Sequence, residues 1–137
     1  MKKTASEIEA DIYKIIKESS LLSVVSGSVY LDGLRPENSN EEDIIISFMT
    51  GVFDIFHQEG KVNINVYVPD KESFGVLRKD TKRCREIERV CQVFCDTLVS
   101  GDYKFTLGRM IQVFKENAIN QHFVNVQLNF KYNFLNE

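Results

Sequence analysis

The last part of the chain carries a pattern that suits only one kind of backbone. Val124, Val126, Leu128, Phe130, Tyr132 and Phe134 alternate with Asn125, Gln127, Asn129, Lys131 and Asn133. A period of two sends successive side chains to opposite faces, so this run predicts a strand with one apolar and one amide-rich face. One such strand cannot bury its apolar face alone. It requires neighbouring strands and a covering layer.

The neighbours are readable in the same way. Lys61 to Val68 places Val62, Ile64, Val66 and Val68 against Asn63, Asn65 and Tyr67. Tyr103 to Phe114 places Tyr103, Phe105, Leu107, Ile111 and Val113 on one side, and 115–121 forms the turn into the closing strand. Asp43 to Phe56 reads as one long strand in which Ile44, Ile46 and Phe48 share a face while Phe53 and Ile55 have the opposite parity. A β-bulge at Gly51, between the two sets, would restore a single apolar face. The turn at His57-Gln58-Glu59-Gly60 makes a hairpin of this strand and the next. A short strand over Ser28 to Leu31 follows the Ser26-Gly27 turn, and the turn-forming residues 32–40 make an exposed loop.

Two segments have helical periodicity. Ser6-Glu7-Ile8-Glu9 is a capping box that starts a helix whose stripe is Ile8, Ile12, Ile15 and Ile16, ending near Ser19-Ser20. The second helix runs from Thr81 to Val99 with Cys84, Ile87, Cys91, Phe94 and Leu98 on its apolar side. Gly101 stands where a left-handed cap would close it, and 70–80 reads as a polar connection. The expected fold is therefore one α+β domain over residues 1–137. It has a single mainly antiparallel sheet of about five strands with two helices packed on one face, in the order α-β-β-β-α-β-β.

Composition narrows the function classes. Seventeen basic and twenty acidic side chains leave a net charge of −3, so the whole molecule does not attract nucleic acid or acidic membranes. No apolar stretch is long enough for a signal peptide or a membrane span, which points to a cytoplasm or a particle assembled there. The three cysteines, Cys84, Cys91 and Cys95, sit in one helix without a zinc-knuckle spacing, and core packing accounts for them. His57 and His122 have no adjacent nucleophile motif, and no glycine-rich phosphate loop is present. No catalytic residue, metal ligand, cofactor or small-molecule substrate is expected.

What remains is contact chemistry. The loop at Arg35-Pro36-Glu37 and the hairpin tip at His57 and Gln58 are the expected projections. Lys82, Arg83 and Arg85 crowd the start of the second helix, where the macrodipole disfavours cations. Asn125 and Asn129 stand in the amide row of the closing strand, a low-charge surface suited to a neighbouring subunit.

A leading helix, Ser26-Gly27-Ser28-Val29-Tyr30, the strand Glu42-Asp43-Ile44-Ile45-Ile46, Val62-Asn63-Ile64-Asn65-Val66-Tyr67-Val68-Pro69-Asp70, a second helix and a long closing hairpin together resemble phage tail terminator proteins, the head–tail joining proteins of tailed particles. The chain departs from that pattern in carrying Glu41-Glu42-Asp43 where a proline often leads into the strand. The resemblance implies a homo-oligomeric ring, commonly a hexamer, that caps the tail tube and meets the head connector, with no catalytic residues. The alternative reading is a regulatory or nucleic-acid-binding module that uses the basic start of the second helix.

Overall fold

The computed structural model of the chain describes residues 1–53 and 56–134. Three helices, α1 (Ala5–Lys17), α2 (Ser20–Val24) and α3 (Thr81–Thr97), accompany eight strands among these residues. The strands are β1 (Val29–Leu31), β2 (Ile44–Phe53), β3 (Gln58–Pro69), β4 (Lys71–Ser73), β5 (Val76–Arg78), β6 (Tyr103–Leu107), β7 (Gln112–Glu116) and β8 (Gln121–Tyr132). The main sheet has the order β1-β2-β3-β8-β6, with β7 also on β8, and among the described residues only the β1–β2 pairing is parallel. The expected α+β class and mainly antiparallel sheet hold, with more strands than the alternation alone discloses.

The sheet is built on β3 and β8, which pair without interruption from Gln58 opposite Tyr132 to Pro69 opposite Gln121. Val62, Ile64, Val66 and Val68 of β3 and Val124, Val126, Leu128, Phe130 and Tyr132 of β8 are buried on one face. Ile8, Ile12 and Ile16 of α1 and Cys84, Ile87, Cys91 and Phe94 of α3 join that same core cluster, so both long helices cover one side of the sheet. Burying each isoleucine contributes about 2 kcal/mol relative to leaving it in water. No helix among the described residues is long and apolar enough to cross a membrane.

Several local expectations are corrected. The α1 cap is Thr4, whose hydroxyl accepts from the Glu7 amide while the Glu7 carboxylate accepts from the Thr4 amide, so the capping box lies two residues earlier than Ser6-Glu9. Glu9 is drawn away to accept from the Phe48 amide at 2.9 Å. The carbonyl of Ile46 faces β1, accepting from Asp32, and Phe48 points its amide the same way at a level where β1 has ended. A side-chain acceptor satisfies this edge group.

The bulge in β2 is at Met49, between the pairs Phe48–Val62 and Thr50–Lys61, rather than at Gly51. Gly51 instead makes room for the Phe48 ring, whose Cζ would lie 2.9 Å from an added Cβ. The extra residue brings Phe53 to the side of the sheet that carries Phe48, opposite Gln58, and Ile55 lies outside the described residues. The strand β3 starts at Gln58, so 58–60 is strand and not turn. The helix α3 ends at Thr97 with Leu98 extended, and Gly101 (φ 30°) serves the turn into β6 instead of capping the helix.

Candidate interaction surfaces

The acidic run ahead of β2 organises one end of the molecule. Asp43 is buried, and its carboxylate accepts from Arg35 Nε at 2.8 Å, from the Ser28 amide at 3.0 Å and from the Ser39 hydroxyl. Burial raises the pKa of this carboxyl, but the bonds from Ser39, Arg35 and Ser28 outweigh it and hold the group below its ordinary value. Arg35 also donates to the Glu41 carbonyl and to Gln121 Oε1, and it stacks on the Tyr67 ring with 4.2 Å between guanidinium carbon and centroid. These bonds fasten the loop 32–42 to the end of the sheet. The same run fixes α3, because Glu42 grips Arg83.

The ten expected contact residues therefore divide. Arg35 and Arg83 are committed to internal ion pairs. Gln58 is buried, donating to the Lys3 carbonyl and accepting from the Lys3 amide, which pins the N-terminal segment. Asn125 is buried too. Its Nδ2 donates to Asn63 and Asn65, and its Oδ1 accepts from Arg109. Four of the ten thus act within the fold, because polar groups of this type become structural once a long-range partner reaches them. Asn129 is half-buried and accepts from Lys61, and His57 bonds to Glu59 at 2.7 Å. Pro36, Glu37, Lys82 and Arg85 stay exposed.

The ten do not converge on one patch. Arg35 bonds Gln121, which pairs with Pro69 at the far end of β3 from Gln58, and twelve residues of strand span roughly 35 Å.

The sequence reading missed the hairpin of β4 and β5. Ser73 pairs with Val76, and the two residues between them, Phe74 (φ 53°) and Gly75 (φ 79°), both occupy the left-handed region, the pattern of a type I′ turn. Phe74 is 99% exposed at its apex, and Val76 and Leu77 behind it are also exposed. A bulky residue at positive φ costs about 1 kcal/mol or more relative to glycine there, so an unburied phenylalanine holds this position against local preference. The readable signal was Phe74-Gly75 followed by Val76-Leu77, a glycine at a turn position next to two strand formers. Val52, Phe53 and Phe56, near the end of the β2–β3 pairing, are further exposed apolar side chains.

Burial pushes the Cys91 thiol up to about 12 and those of Cys84 and Cys95 up to about 11, so all three stay protonated at neutral pH and make poor nucleophiles. His122 Nδ1 lies 2.7 Å from the buried Asp70 carboxylate. Among the described residues no group of three or more His, Cys, Asp or Glu side chains could hold a metal ion. No family model matches the chain, and no curated protein matches it in sequence.

Proposed function

We propose that the chain is a structural assembly protein of the tail-terminator kind, in which copies join in a ring, cap a phage-type tail tube and present a face to the head connector. It acts by contact, in a cytoplasm or in a particle assembled there. The observation that carries this reading is Phe74, a fully exposed aromatic on a tight hairpin that stands outside the core. Exposed aromatics on projections are the anchors that protein interfaces use. Val52, Phe53 and Phe56 are further exposed apolar side chains away from that hairpin, and two different contact surfaces on one subunit are what a head-to-tail ring needs.

Native mass spectrometry and negative-stain imaging of the purified protein, alone and with a tail-tube protein, test the proposal. The expected result is a closed ring in one of the two conditions and its loss on Phe74→Ser. A chain that is monomeric at every concentration and has no affinity for the tube protein overturns it.

A further inference from the structure

The outer flank of α3 and the connection between β6 and β7 enclose a groove of about 800 Å³. Its floor and one wall are apolar. Ile111 is buried beneath it, Val90 is half-buried beside it, and Met110 is 84% exposed at its lip. The other wall carries Lys82, Arg85 and Arg89, spaced by three and four residues along one flank of the helix.

The Met110 wall is held in place. Leu107 pairs with Leu128 and Gln112 with Asn125, so β6–β7 spends two more residues than β8 over the same interval and loops them out. Gly108 donates to the Gln127 carbonyl at 2.7 Å on one side of the loop. Arg109 donates to buried Asn125 at 2.7 Å and lies over the Phe114 ring, and Ile111 returns to the core. Met110 is thus an exposed apolar side chain on a backbone fixed at both sides, and such pre-organisation lowers the entropy lost on binding.

The charge of the groove is opposite to that of the molecule. Lys82, Arg85 and Arg89 have no ion-pair partner within 4.0 Å among the described residues, and of the two rim carboxylates Glu86 is already bonded to Arg83 at 3.1 Å. Three cations therefore face one uncommitted carboxylate, Glu88, on a chain whose net charge is −3. An apolar floor with a cationic wall complements an acidic amphipathic chain. Nucleic acid fits less well, because the groove lining has no aromatic ring on which a base could stack. The Phe74 hairpin of a second copy fits less well too, since Lys71, Arg78 and Lys79 at its base would approach a cationic wall.

We infer that this groove is a docking site for a carboxylate-rich amphipathic segment of another protein. The apolar side chains of that segment meet Val90, Met110 and Ile111, and its carboxylates meet Lys82, Arg85 and Arg89. The inference does not rest on ring formation.

Selection of a displayed random-peptide library on the full chain, followed by fluorescence anisotropy with the recovered peptides, tests it. Peptides rich in Asp and Glu around large apolar residues are expected. Their binding weakens by about tenfold or more in the double variant Arg85→Glu/Arg89→Glu, and several-fold in Met110→Ser. These three positions are exposed, so the variants keep the thermal melt of the parent. No enrichment, recovery of basic peptides, binding unchanged in the double variant, or displacement of the peptides by a single-stranded oligonucleotide overturns the inference.

Discussion

Arg83 of α3 holds Glu42, forty-one residues earlier in the chain, through two parallel bonds: Nε to Oε2 at 2.6 Å and Nη2 to Oε1 at 2.8 Å. The same guanidinium donates to the Val24 carbonyl and to Glu86, so one side chain joins the end of α2, the lead into β2 and the first turn of α3. Removing either partner leaves a poorly solvated charge, and Arg83→Ala or Glu42→Ala should each cost about 1–3 kcal/mol in urea unfolding. The double variant should cost about 1 kcal/mol less than the sum of the two. Arg83→Lys should not restore stability, because an ammonium cannot make the two-pronged contact. Additive single effects would show that the pair does not couple these elements.

Gly27 and Gly33 flank the same region and should respond differently to alanine. A Cβ at Gly27 would lie 2.1 Å from Asp43 Oδ1 and 2.7 Å from the Glu42 carbonyl oxygen. Gly27→Ala must therefore displace the buried carboxylate that fastens the loop 32–42, and the expected loss is about 1–3 kcal/mol. Gly33 has φ +86° and open space around it, so Gly33→Ala meets only backbone strain, partly offset by a stiffer unfolded chain. Its expected loss is about 1 kcal/mol or less. Equal losses at the two sites would contradict the close approach at Gly27.

Acid should loosen this region before the rest of the core. Burial works against the charged form of Asp43, but the bonds from Ser39, Arg35 and Ser28 hold its carboxyl low, and the Arg83 bonds do the same for Glu42. Unfolding returns both to about pKa 4. Because each folded pKa lies below the unfolded one, the unfolded chain binds more protons as the pH falls through that range. The stabilisation is complete above the unfolded values and is lost as the pH drops through the folded ones. Urea midpoints measured from neutral pH downwards should hold until about pH 5 and then fall. The fall should be shallower in Asp43→Asn, which starts lower because the neutral amide pairs poorly with Arg35. A parallel fall in the two proteins would assign the acid sensitivity elsewhere.

Which parts of this architecture were legible follows from parity and range. The bulge in β2 was visible because a one-residue insertion reverses alternation, and Phe48 and Phe53 disagree in parity; its place was not, since Gly51 is a glycine for the sake of the Phe48 ring. The loop-out between β6 and β7 was invisible, because two extra residues leave Leu107, Ile111 and Val113 in phase. Two capping boxes overlap at the start of α1, and the choice of Thr4 over Ser6 accompanies the contact of Glu9 with Phe48, a partner thirty-nine residues away. For the same reason Arg35 and Arg83 read as surface charges. Nothing local announces that Asp43 and Glu42 will meet them, whereas Lys82 and Arg85 meet no such partner among the described residues and remain on the surface.

Phe74 gives the test that ties stability to contact. Its φ of 53° belongs to a position where asparagine followed by glycine is the favoured turn pair, and Gly75 already follows it. As the ring is fully exposed, Phe74→Asn removes no packing within the chain and relieves the backbone, so the isolated subunit should gain about 1 kcal/mol in thermal or urea unfolding. The same variant should lose self-association or tube binding in sedimentation or native mass measurements, since the aromatic anchor is gone. Opposite signs in the two measurements are the expected signature of a residue kept for a partner at the expense of its own turn. A loss of stability in the monomeric variant would mean that the ring packs within its own chain, and the hairpin would then lose its place as the docking element.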